Sequence, residues 1–166
     1  MKSNEYLDSF LKEAQSIPET IFDKPDYDTS IHEGLIGSSL KERLIQLSNL
    51  QSTIHKLAAQ IETMYEEQIS RVSEALENAT TIVENDAVKS KAKAKYKQAL
   101  VSKEQVLVGN DIAPTTYREE SYRLAALTYL YRRAKLKVKE LDNALDVGRS
   151  ALSFDKIEAK NIGLLE

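Results

Sequence analysis

The chain has 166 residues, with 23 Lys or Arg against 26 Asp or Glu, a formal net charge of −3, and no cysteine. This composition excludes disulfides and thiolate metal sites, and the scarcity of glycine and proline favours long helices. No apolar run approaches the roughly 20 residues that cross a bilayer, and no signal-peptide core is present, so we expect a soluble cytoplasmic protein that does not bind membranes.

The charge is concentrated in the middle of the chain. Residues 1–88 carry 7 basic and 16 acidic side chains, residues 89–139 carry 13 and 4, and residues 140–166 carry 3 and 6. The stretch KSKAKAKYK, Lys89 to Lys97, places five lysines around one tyrosine. This asymmetry indicates either a polyanionic partner or oppositely charged surfaces that meet in an oligomer.

Residues 1–38 are predicted to form a short N-terminal helix followed by an acidic linker arm. One helical face between residues 3 and 17 carries the apolar side chains Leu7, Phe10, Leu11, Ala14 and Ile17. Pro18 then ends the helix. Residues 18–37 contain two prolines, two glycines and the acidic run DKPDYD without a sustained period, which indicates a tether.

A long amphipathic helix is predicted to begin at Ser39, where SLKE fits a capping box formed by Ser39 and Glu42. Apolar positions then recur mostly in steps of three and four: Leu40, Leu44, Leu47, Ile54, Ala58, Ile61, Tyr65, Val72, Ala75 and Ala79. Gln51 and Gln68 occupy two further positions of this seam. The spacing is typical of coiled-coil or long-hairpin packing.

The helix is predicted to break or kink near residues 80–86, where the β-branched cluster TTIV is followed by Asn85 and Asp86. Helix is expected to resume through the lysine stretch to about Val106. The sequence VGNDIAP, Val108 to Pro114, predicts a turn. TYRE, Thr116 to Glu119, predicts a second capping box.

The last helix is predicted to run from about residue 117 to residue 155. Its seam keeps to steps of three and four at Leu124, Leu127, Tyr131, Ala134, Val138, Leu141, Leu145, Gly148 and Leu152. The short connection implies that this helix lies antiparallel to the helix before the turn. We therefore predict an all-α fold, with a long antiparallel helical hairpin or coiled-coil-like bundle in residues 39–166.

The face of the last helix opposite its seam carries two arginines and two tyrosines, namely Arg118, Tyr122, Tyr129 and Arg133. At about 100° per residue these four side chains project within roughly 60° of one another, and further basic residues flank them. The predicted nucleic-acid-binding set joins them to the lysine stretch: Lys89, Lys91, Lys93, Lys95, Lys97, Arg118, Tyr122, Tyr129, Arg132, Arg133 and Lys135. Cations neutralise phosphates and aromatic rings stack on unpaired bases, so this set suits a single-stranded nucleic acid.

These residues also have ordinary structural interpretations. Lysines on long helices usually solvate the surface, and Tyr122 and Tyr129 are equally suited to packing against another helix or subunit. His32 and His55 have no metal-ligand pattern around them, and no phosphate-binding glycine loop is present. We therefore predict a protein that is not an enzyme, uses no metal or other cofactor, and binds without base-specific readout.

The segment LTYLYRRAKLKVKELDNALDVGRSALS combines an aromatic pair, an aliphatic seam, an Ala-Leu-Asp step and Arg149-Ser150. With the lysine-rich helix and the turn before it, this order resembles the UvsY-type recombination mediators of tailed phages over about the last 75 residues. The resemblance implies single-stranded DNA binding, ring assembly, and cooperation with a recombinase and a single-strand-binding protein in the host cytoplasm. The residues carried over are Lys91, Lys93, Arg132, Arg133 and Lys135.

The expected function is therefore that of a non-catalytic recombination mediator that binds single-stranded DNA as a homo-oligomer, where many weak contacts add through avidity. The alternative is a phage virion or scaffolding protein that uses its long helices for assembly. A third interpretation is a coiled-coil adaptor that orders on its protein partner.

Overall fold

The structure is a computed structural model that describes residue 22, residues 25–32 and residues 34–161, except for the side chains of residues 158–161. The described residues form three α-helices: α1 (Gly37–Asn85), α2 (Ala94–Lys103) and α3 (Tyr117–Asn161). They also form two short strands, β1 (Gln105–Val106) and β2 (Thr115–Thr116). The predicted all-α class is confirmed, whereas the predicted N-terminal helix of residues 3–17 lies outside the described residues.

The described chain divides into two compact units, and both long helices contribute to each. The lysine unit contains residues 61–131, and the arm unit contains the described parts of residues 17–60 and 132–166. In the lysine unit, the Tyr131 hydroxyl donates to Glu62 at 3.1 Å, and in the arm unit Gln51 donates to Asp142 at 3.1 Å. A second pair in each unit, Gln68 with Glu120 and Gly37 with Asp155, shows that the residue number on α3 falls as the residue number on α1 rises, so α1 and α3 are antiparallel within each unit. None of the described helices has a stretch long and apolar enough to cross a membrane.

The arm unit is built on the two predicted seams. Its buried cluster consists of Leu40, Leu44, Leu47, Ile54, Leu141 and Leu145. Each of these side chains stabilises the fold by about 1.5–3 kcal/mol when fully removed from water. The close approach of the helices depends on Gly148, because a Cβ there would meet the side chains of Leu44 and Ile31.

The described part of the predicted arm packs on this unit. Phe22 is buried and meets Tyr27 edge to face at 6.4 Å between ring centroids. The Arg43 guanidinium donates to the carbonyl oxygens of Ser30 and Asp28, each at 3.0 Å, and to the Asp28 carboxylate at 2.9 Å. The N–H of Ser30 lowers the pKa of Asp28, with help from Arg43, so this carboxylate stays charged. The division into an arm (1–38) and a hairpin domain (39–166) stays a prediction.

Helix α1 begins two residues before Ser39, the residue at which the capping box predicted its start. Its first residue is Gly37, with φ +55°, and the Ser39 hydroxyl donates to the Ile36 carbonyl at 2.8 Å instead of accepting from a backbone amide. The prediction that Ser39 and Glu42 cap the helix is therefore wrong. The Gly37 N–H is oriented toward the Asp155 carboxylate at 3.4 Å, so a side chain from α3 supplies the acceptor.

The break predicted near residues 80–86 is present, since α1 ends at Asn85. The Asp86 carboxylate accepts from the N–H groups of Val88 at 2.8 Å and Lys89 at 3.0 Å, which stabilises the turn. A 3-10 turn at Lys89–Lys91 and then α2 follow, so only part of the lysine stretch is α-helical.

The helix predicted to extend to Val106 ends at Lys103. Strand β1 pairs antiparallel with β2, with Gln105 opposite Thr116 and Val106 opposite Thr115. The predicted turn lies between the strands, where Gly109 has φ +60°. The lysine-unit core contains Ala75, Ala79, Val106 and Val108, with Val101 and Tyr117 packed against it.

The second predicted capping box is confirmed. Thr116 Oγ1 accepts from the Glu119 N–H at 3.1 Å, and Glu119 Oε2 accepts from the Thr116 N–H at 3.1 Å. Helix α3 begins at the next residue, Tyr117. Its long antiparallel partner is α1, rather than the helix directly before the turn, because α2 spans only 10 residues.

Candidate nucleic-acid interface

The most open part of the predicted interface is the middle of the lysine stretch. Lys91, Lys93 and Lys95 are exposed, and none has a described carboxylate within ion-pair distance. Tyr96, which the sequence places among these lysines but which the predicted set omits, has 66% of its surface exposed. Its location in the first turn of α2 follows from the break before Ala94. An exposed aromatic ring in one short stretch with three exposed cations is a combination that a single-stranded nucleic acid can use.

Lys89, the first residue of the stretch, is engaged within the fold. Its ammonium donates to both carboxylate oxygens of Glu104, at 2.9 and 3.1 Å, and lies 3.8 Å from Asp86. The hydrogen bond to Glu104 is the main cause that raises the pKa of Lys89. The ion pair between Lys89 and Glu104 joins the two ends of the segment that contains α2. A phosphate would have to displace this structural contact to bind Lys89.

Lys97, the last residue of the stretch, lies 3.5 Å from the Glu84 carboxylate of α1. Both residues line a hollow of about 510 Å³ within the lysine unit, which is also lined by Leu76, Val101 and Tyr117. The carboxylate at this edge reduces the local positive charge, so Lys97 is less suited to a phosphate than the lysines before it.

Arg118 and Tyr122 lie together one turn apart on α3. The Arg118 Nε donates to the Tyr122 hydroxyl at 2.6 Å, and the guanidinium carbon lies 5.4 Å from the centre of the Tyr122 ring. Both side chains are half-buried, as is Tyr129 two turns further on. Because Arg118 already covers one face of the Tyr122 ring, this ring has less surface for a base than Tyr96 has.

The remaining predicted residues, Arg132, Arg133 and Lys135, belong to the arm unit. Arg132 and Lys135 are exposed and Arg133 is half-buried. The structure thus places the lysines, Arg118 and two tyrosines in one unit and the last three cations in the other.

A buried carboxylate that sequence reasoning missed holds the lysine unit together. Glu120, on the first turn of α3, is fully buried. Its carboxylate accepts from Gln68 Nε2 at 2.6 Å, from Arg71 Nε at 3.1 Å and from Arg123 Nη1 at 2.6 Å. Arg71 also bonds Asp111 in the turn, so one guanidinium joins α1, α3 and the loop between the strands.

The protonation of this cluster follows from its contacts. Burial by itself would raise the pKa of Glu120, but hydrogen bonds from Arg71, Gln68 and Thr115 and the charge of Arg123 outweigh it, so the pKa is lowered. Hydrogen bonds to Asp111 and then Glu120 raise the pKa of Arg71. The sequence contained one signal for this cluster, namely Gln68, one of the two amides in a largely apolar seam, because a buried amide needs a polar partner.

The described residues contain no group of three or more His, Cys, Asp or Glu side chains that could hold a metal ion. His55 is 47% exposed and its Nε2 lies 3.5 Å from Asp142. Its surroundings are those of a surface residue that pairs with a carboxylate when protonated.

No protein-family model, curated protein or solved structure matches the chain.

Proposed function

We propose that this protein is a non-catalytic mediator of DNA recombination that binds single-stranded DNA as a homo-oligomer. The observation that carries the proposal is the exposed Tyr96 ring beside the exposed Lys91, Lys93 and Lys95. The UvsY-type resemblance of the C-terminal half supports the mediator role, with a recombinase and a single-strand-binding protein as further partners.

Each subunit makes few contacts with the DNA. The affinity of the oligomer therefore depends on how many subunits bind the same strand. Each phosphate that one of these lysines neutralises contributes roughly −0.7 to the slope of log K against log salt for single strands. A base stacked on Tyr96 contributes about 1–3 kcal/mol and tolerates any base. Several copies on one strand multiply such weak contacts through their high effective concentration.

The binding test compares two doubly charge-reversed variants with the same net charge. Lys93→Glu with Lys95→Glu removes two cations beside Tyr96, whereas Lys41→Glu with Lys56→Glu reverses two exposed lysines of α1. Anisotropy of a labelled oligonucleotide at rising salt should show at least about tenfold weaker binding for the first variant, with a slope smaller by roughly 1.4. The control variant should change binding much less.

Equal weakening of both variants would mean that only net charge matters, and it would contradict a defined contact surface. Tyr96→Ala should weaken binding without changing the salt slope, because it removes a stack and no charge. The mediator role has its own measurement. The protein should accelerate recombinase filament formation on DNA that is coated by the single-strand-binding protein.

The alternative function is a virion or scaffolding component, and one observation favours it. Leu136, Val147 and Phe154 are exposed on the outer face of α3 in the arm unit. Apolar side chains aligned in this way are suited to subunit contacts. A protein of this kind would copurify with particles and would not retain an oligonucleotide.

A further inference from the structure

The outer face of α3 in the arm unit carries a stripe of side chains that includes exposed apolar residues. Leu136 and Val147 are 45% and 66% exposed, and their positions project within about 20° of each other on a helix of 100° per residue. They lie roughly opposite the buried Leu141 and Leu145. The stripe recurs in steps of three and four through the half-buried Arg133 and the exposed Leu136, Glu140, Asn143, Val147, Ser150 and Phe154. Such spacing keeps one stripe of a helix against a partner helix over several turns.

We propose that this stripe binds the same stripe of a second copy in antiparallel orientation, with Leu136 of one copy against Val147 of the other. The proposal rests on the homo-oligomer of the proposed function and specifies how two copies meet, whereas it is independent of DNA binding. A two-fold axis relates the copies, so every contact occurs twice.

Between residues 133 and 150 this register matches the chemical character of the side chains in each layer. Leu136 faces Val147 of the second copy, Glu140 faces its Asn143, and Arg133 faces its Ser150. Apolar side chains thus meet apolar ones, and each charged side chain meets a neutral polar one.

Other registers lack this match. A shift by seven residues in one direction pairs Leu136 with Phe154 but sets both Val147 side chains against Asn143, and a shift in the other direction sets Leu136 against Glu140. A parallel pair in register sets Glu140 against Glu140, which opposes like charges. The stripe is therefore self-complementary in one antiparallel alignment.

The flanking charges agree with the same alignment. Lys139 and Asp146 are exposed and project on the same side of the stripe, within about 20° of each other. In the antiparallel register Lys139 of one copy lies opposite Asp146 of the other, on both sides of the two-fold axis. The Asp146 side chain is 80% exposed and its described partner, Arg149, lies 3.7 Å away, so the carboxylate is accessible to a lysine of the second copy. Complementary charges at such positions set partner and orientation.

Cysteine cross-linking tests the register, because the chain has no cysteine of its own. Leu136→Cys and Val147→Cys are made as two separate full-length variants and oxidised alone and mixed. The proposal expects disulfide dimers only in the mixture, since equal positions are about 16 Å apart along antiparallel helices. Cross-linking of either variant alone indicates parallel pairing and overturns the proposal, and so does the absence of cross-links in the mixture.

Charge reversal tests the flanking pairs by sedimentation of the full chain. Lys139→Asp or Asp146→Lys alone should raise the dimer dissociation constant by about tenfold or more, because each opposes like charges twice. The combined variant should restore the wild-type value to within about threefold. Val147→Glu should abolish the dimer, whereas Ile45→Glu, at a position on α1 that is 53% exposed, should leave it intact. A wild-type chain that sediments as a monomer at high concentration overturns the proposal, whatever the oligonucleotide measurements show.

Discussion

Replacing Gly148 by alanine tests how closely α1 and α3 approach in the arm unit. The new Cβ would meet the Leu44 Cδ2 atom in overlap, with Leu44 Cγ at 3.2 Å and Ile31 Cδ1 at 3.0 Å. Alanine gains about 1 kcal/mol over glycine in a helix interior, whereas an extra methyl group in a packed core costs about 1–3 kcal/mol. We expect Gly148→Ala to lower the free energy of unfolding by up to about 2 kcal/mol.

A second variant shows whether Leu44 is the cause. Leu44→Ala alone should cost about 2–5 kcal/mol, but it also removes the atoms that the new methyl group would overlap. In that background Gly148→Ala should therefore stabilise the protein by up to about 1 kcal/mol. Urea unfolding followed by circular dichroism is measured for the wild type, the two single variants and the double variant, which together form a double-mutant cycle. Ser153→Ala is an exposed control on the same helix. Stabilisation by Gly148→Ala in the wild-type background would refute the close approach.

Two further predictions concern the lysine unit. Because the folded pKa of Glu120 lies below its usual value of 4.5, its contribution to stability is complete above that value and is lost as the pH falls through the folded pKa. Glu120→Gln should therefore lower the free energy of unfolding at pH 7 by about 3–5 kcal/mol, the cost of a broken buried ion pair, as measured by urea unfolding. The variant should also lose less stability on acidification than the wild type. Thr116→Ala should cost about 1 kcal/mol in the same urea measurement, because it removes the acceptor for the Glu119 N–H, and Thr116→Ser should retain most of it.

The sequence predicted the two long helices and their seams because spacing alone determines which side chains share a face. Leu44, Leu141 and Leu145 are buried where steps of three and four place them. The capping box of Thr116 and Glu119 was equally accessible, since its contacts span only three residues. The same local rule failed for Ser39 and Glu42, because the start of α1 finds its acceptor on α3, in the carboxylate of Asp155.

The features that the sequence did not predict depend on contacts between residues distant in the chain. The strands of β1 and β2 are two residues long and therefore show no period, and their pairing depends on the turn between them. Glu120 resembles an ordinary acidic residue of a first helical turn, and only the fold brings Gln68 and Arg71 to it. Likewise, the lysine stretch gave no sign that Glu104 would engage Lys89 while Lys91, Lys93 and Lys95 stayed open.

The lysine unit contains a near-parallel aromatic pair with a spectroscopic consequence. The rings of Tyr65 and Tyr131 are stacked 4.7 Å apart and inclined by 3°, and the chain has no tryptophan. Electronic transitions of rings this close couple to each other and add to the near-ultraviolet circular dichroism of the other tyrosines, and the part of the signal that Tyr65→Leu removes comes from this pair. Loss of that signal on heating would report the separation of α1 from α3 at this level, without an added chromophore.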